Sequence, residues 1–222
     1  MGLFNRLKNK LTGQSKELTI SNTANYLTAC FQMFERHPNL LETPGLLMNP
    51  GDENLRDELL EKLATHVEID ALPTLKLDNM HTLVNLMKKS VQQYLPENFS
   101  HKILQFDKAK LTELLSKSQD PLYLFQEALS SEKQSLFNVY MYIAIKVAEN
   151  AKQNKTSTEV VAKLCAEDLM GNDTGVFEPL TELLIETIEY YLENPKSCPY
   201  LIRNRKALTV SGTLPLPKKI SH

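Results

Sequence analysis

Apolar residues recur at three- and four-residue spacing through most of the chain, with polar breakers between the runs. That is the period of amphipathic helices, not the two-residue alternation of strands. Asp52 stands where it caps a helix carrying Leu55, Leu59, Leu60 and Leu63. Asp78 stands in the same relation to a second helix, whose stripe is Met80, Leu83, Val84, Met87, Val91 and Leu95, ended by Pro96. Asp120 followed by Pro121 reads as a cap with proline in the first helical position. From Ser131 onward Leu136, Val139, Tyr140, Ile143 and Val147 are joined by Phe137 and Ile145, so that apolar residues take up most of the circumference. A helix patterned in this way is central and buried. Thr156 and Glu159 have capping-box spacing ahead of Val160, Val161 and Leu164. A last helix is expected from Thr174 or Phe177 to Asn194, burying Leu180, Leu184, Ile188 and Tyr191. No segment alternates convincingly with period two and there is no internal repeat, so the expected class is all-α.

The two ends differ from this helical body. Residues 1–16 place Leu3, Phe4, Leu7 and Leu11 on one helical face, with Arg6, Lys8, Lys10 and Lys16 elsewhere and no acid among them. Such a segment either docks its stripe on the domain or lies on an anionic membrane surface. Residues 195–222 carry Lys196, Arg203, Arg205, Lys206, Lys218 and Lys219 without an acid and are broken by prolines, which predicts irregular structure. The expected organisation is therefore a basic amphipathic segment over 1–16, a helical domain over 17–194 and a basic tail over 195–222.

Composition narrows the function more by exclusion than by pointing. With 222 residues, 42% hydrophobic and 23% charged, the chain has the make-up of one ordinary globular domain. A net charge of −2 gives no general attraction for nucleic acid. Cys30, Cys165 and Cys198 lack paired spacing and read as free thiols in a reducing compartment, so a cytoplasmic location is expected, peripheral to a membrane if residues 1–16 bind lipid. His37, His66, His81, His101 and His222 are scattered without metal-ligand spacing, and no metal site is expected. The chain has no phosphate-binding loop, no nucleophile elbow and no H-E-x-x-H helix. Carboxylate pairs such as Asp57 with Glu61 or Glu182 with Glu186 have the spacing of solvated helix faces. A self-contained hydrolase or transferase is disfavoured, and the function is expected to be exerted on a protein partner.

Three stretches, in order, carry a resemblance. Ala29 to Arg36 leads into Glu42-Thr43-Pro44-Gly45-Leu46-Leu47-Met48-Asn49-Pro50-Gly51. Leu86 to Phe99 ends in Gln92-Gln93-Tyr94-Leu95-Pro96-Glu97-Asn98-Phe99, and Asn154 to Leu169 reads NKTSTEVVAKLCAEDL. Their order and spacing, across residues from about 20 to 194, are similar to those of RhoGAP domains: a helix followed by a loop with G-I-F-R, then L-K-x-F-L-R-E-L-P-E-P-L, then N-K-M-T-x-x-N-L-A-x-x-F-x-P-N-L. The resemblance implies an all-α RhoGAP-like fold and a partner among Rho/Rac-type small GTPases. That partner would supply GTP and magnesium, so this chain would need no cofactor of its own. Activators of this kind insert an arginine that neutralises charge developing during phosphoryl transfer, worth roughly 10³–10⁵ in rate.

Carried over position by position, the resemblance is incomplete where the chemistry lies. The finger arginine aligns with Met48, beside Asn49, and a thioether supplies neither charge nor donor fork. The lysine of the second motif falls on Lys89, or on Lys88 with a one-residue slide, and its arginine falls on Gln93. In the third motif the leading asparagine is Asn154, the later one becomes Val160 and the proline becomes Glu167. The expectation is a partner-binding face made by Met48, Asn49, Lys89, Gln93 and Asn154, with weak acceleration of GTP hydrolysis. The alternative is a catalytically inactive pseudo-GAP acting as a protein-docking or membrane-surface adaptor.

Overall fold

A computed structural model describes residues 16–17, 19–31, 41–64, 79–96, 109, 112–113, 116–117, 120–126, 129–171, 175 and 177–197. The segment 1–15, Asp78 and the tail beyond 197 lie outside the described residues, and with them most of the expected terminal segments. Every regular element among the described residues is helical. In chain order they are α1 (19–31), α2 (Glu53–Ala64), α3 (Met80–Tyr94), the single turn α4 (Tyr123–Gln126), α5 (Ser131–Glu149), the single turn α6 (Ala151–Asn154), α7 (Thr158–Met170) and α8 (Phe177–Glu193).

The periodicity accounts for the arrangement. The continuously apolar run forms α5, whose buried residues include Leu136, Phe137, Val139, every position from Tyr140 to Ile145, Val147 and Ala148. A helix buried on all sides must be surrounded, and α3, α7 and α8 pack around it while α2 packs on α3. α7 and α8 form the most extensive pair, an antiparallel hairpin turned at Gly171. Aromatic bulk fills the centre, with Phe31, Phe125, Phe137, Tyr140 and Tyr191 almost wholly enclosed.

Polar side chains fix the turns. The Asp52 carboxylate accepts from Leu55 N at 3.0 Å and caps α2 as expected. Asp120 accepts from Leu122 N at 2.9 Å and from the Tyr191 hydroxyl, so the turn ahead of α4 is tied to α8. The cap of α7 differs from the expected Thr156–Glu159 box: Ser157 is the N-cap and accepts from Val160 N at 3.2 Å. Glu159 instead pairs with Lys163 one turn along, because the helix begins one residue later than the box requires. No helix among the described residues is long and apolar enough to cross a membrane.

Candidate functional site

The three stretches that carry the sequence resemblance meet at one end of the bundle, around the loop 41–52. Within the loop Gly45 adopts φ +69°, and its carbonyl accepts from both Met48 N and Asn49 N at 2.9 Å, which closes a tight turn. The turn points Leu46 and Leu47 into the core and leaves Met48 57% exposed, with Asn49 exposed beside it. Gly51 adopts φ +67° where the chain comes so close to α3 that a Cβ would stand 2.4 Å from Thr82 N.

One face of α3 grips this loop. Thr82, Asn85, Lys88 and Gln92 follow one another at helical spacing, and the first three reach the loop. Thr82 Oγ1 accepts from Asp52 N at 2.8 Å, Asn85 Nδ2 donates to Pro50 O at 2.8 Å, and Lys88 Nζ donates to Leu47 O at 2.8 Å. Lys88 is thus the lysine that engages the loop. Lys89 and Gln93, the expected partner-facing residues of α3, are both exposed, and no loop bond is formed by either among those described. The difference is one of helical phase: a step of one residue turns a side chain about 100° away.

Asn154, also expected on the partner face, is buried at 2% exposure. Its Nδ2 donates to Val147 O at 2.7 Å and makes a longer contact of 3.5 Å to Leu41 O, while Oδ1 accepts from Thr156 N at 3.2 Å. The residue therefore joins the end of α5 to the start of the loop and offers a partner no surface. The left-handed turn that follows falls on Lys155, at φ 57°.

Behind the loop lies a buried polar cluster that sequence reading did not find. Asp168, on α7, is 2% exposed. Its Oδ1 accepts from Gln92 Nε2 at 2.6 Å, its Oδ2 from the Tyr140 hydroxyl at 2.6 Å, and Lys88 Nζ stands 3.7 Å from Oδ2. Burial pushes the Asp168 carboxyl above the usual carboxylate range, against the opposing pull of Lys88, Tyr140 and Gln92. Burial likewise holds the Tyr140 phenol well above its ordinary value, so it remains a donor. Two signals pointed to the cluster: an acid seven residues after Val161 on the apolar stripe of α7, and the polar row along α3.

The surface above the cluster is apolar. Gly45, Leu46, Leu47, Met48, Val147, Asn154, Thr156 and Leu164 line a niche of about 10 Å³, room for one water at most and far too small for a nucleotide. Val160, 38% exposed, lies one turn from Leu164 on α7 and adds to the exposed apolar surface. Among the described residues no group of three or more His, Cys, Asp or Glu side chains is placed to hold a metal ion. No protein-family model and no curated protein matches the chain.

Proposed function

We propose that this chain is a RhoGAP-like regulator that docks the 41–52 loop and the adjoining face of α7 against a GTP-loaded Rho/Rac-type GTPase. The observation that carries the reading is the meeting of three separated sequence stretches at that loop, where Met48 is exposed and the main chain around it is held from α3 and from Asn154 of α6. A firmly held loop loses little conformational freedom on docking, which is what a loop entering a partner's nucleotide site needs. Met48 supplies an adaptable apolar contact in place of the finger arginine. GTP and magnesium belong to the partner, and acceleration comes from ordering the partner's own water-positioning group, so it is weak. A docking module without effect on hydrolysis is the second reading, favoured by the absence of arginine in the exposed turn.

The test is single-turnover GTP hydrolysis by a panel of Rho/Rac-type GTPases with excess of this protein, wild type and Met48→Arg, together with direct binding to the GTP-loaded forms. Binding by wild type and a large gain in rate from Met48→Arg are expected, approaching the roughly 10³-fold lower end of a finger's contribution. Binding without acceleration by either protein selects the docking module. Absence of both binding and acceleration, for both proteins and across the panel, refutes the reading.

A further inference from the structure

We propose that Asp168 is a positioning residue for the 41–52 loop: it anchors the Lys88 ammonium, which holds the Leu47 carbonyl and so sets where Met48 stands.

Tyr140 O–H and Gln92 each form a hydrogen bond with Asp168, at 2.6 Å in both cases. An asparagine in that place would satisfy both, with its oxygen accepting from Tyr140 and its amide donating to Gln92 Oε1 after an amide turn. Only Lys88 requires the charge. Its Nζ lies between Asp168 Oδ2, at 3.7 Å, and Leu47 O, at 2.8 Å, with 18% of the side chain exposed. A lysine has three rotatable donors and a long flexible stem, and an ammonium with an open path to water leaves a lone carbonyl readily. The buried carboxylate is the fixed charge that keeps it inward.

The surroundings of Asp168 disfavour its charge. Burial is the largest influence on the Asp168 carboxyl and neighbouring Glu167 adds to it, so the neutral form is favoured more than at the surface. A neutral residue of the same shape would suit the fold alone at least as well. What the acid provides is a hold, through one lysine of α3, on an exposed loop.

As a statement about docking this rests on the reading above; as a statement about the loop it does not. The experiment uses the full chain with ¹³C-methyl methionine, the Met48 signal being identified by its loss in Met48→Leu. Methyl order at Met48 and thermolysin cleavage ahead of Leu46 or Leu47 under native conditions are compared in wild type, Asp168→Asn, Lys88→Met and the double variant. Losing the Lys88–Leu47 hydrogen bond in Lys88→Met, and the ion pair that supports it in Asp168→Asn, should raise the open fraction of the loop about tenfold in each single variant. The double variant should be no more open than the looser single one, because both act through one bond. The melting temperature of Asp168→Asn should not fall. Unchanged cleavage and unchanged Met48 methyl order in Asp168→Asn overturn the proposal. So does a rise in cleavage that only follows a loss of global stability. If no variant binds any GTPase while the loop loosens as expected, the docking reading fails and the role of Asp168 stands.

Discussion

Gly51 is the residue whose backbone leaves the least choice. It combines φ +67° with an approach to α3 in which a Cβ would meet Thr82 N at 2.4 Å and Thr82 Oγ1 at 2.6 Å. Alanine there must strain its own dihedrals and push the loop off the helix, breaking the bond from Asp52 N to Thr82 Oγ1. Gly51→Ala is expected to lower unfolding free energy by about 1–3 kcal/mol, read from urea denaturation, with a larger effect at Met48 than at the far end of the bundle. Asn154 shows the same economy of role. Its three polar contacts are internal, so its identity follows from satisfying Val147 O and Thr156 N at the end of α5, which no surface motif describes. Met48 is the converse, a large apolar side chain left in solvent by a turn closed through two main-chain bonds to Gly45 O.

At the scale of elements, long periodic runs were readable and points of contact were not. The bounds of α2, α5 and α8 follow from Asp52, from the broad stripe starting at Ser131 and from the spacing of Leu180, Leu184, Ile188 and Tyr191. Single turns such as α4 and α6 are too short for any period to register. The α7 cap was misplaced by one residue because Thr156, Ser157 and Thr158 are all capping types, and only the fold selects Ser157. The loop's anchors were illegible for a different reason: Lys88, Asn85 and Asn154 bind carbonyls, and every residue carries one. The cluster joining α3, α5 and α7 also has a pH signature. A carboxyl raised by burial adds stability that is fully present below its ordinary titration range and is lost as pH rises through its folded value. Asp168→Asn should therefore flatten the acid side of the stability profile and leave stability at neutral pH equal or higher. A fall at neutral pH, measured by denaturant titration from pH 4 to 8, would mean that attraction to Lys88 outweighs burial.

Across the described residues, α5 is the member that α3, α7 and α8 enclose, and its burial makes opening of the core a global event. The thiols report on it. Cys30 and Cys165 are both buried and each is pushed up to about 12, chiefly by burial, so neither presents a thiolate at neutral pH. In a Cys198→Ser background both should resist a thiol reagent in native buffer and then react together, at a rate that follows urea concentration as global unfolding does. Prompt labelling of Cys165 alone would reveal a separate opening of α7. The loop at the end of the bundle obeys a different rule from this interior. The clamps from α3 and α6 hold its peptide oxygens and leave the side chains at 48 and 49 outside the grip. Such a loop is a cassette: the residue at its tip is interchangeable without disturbing its frame, so under the proposed docking role a change of partner preference lies one codon away from a protein that still folds.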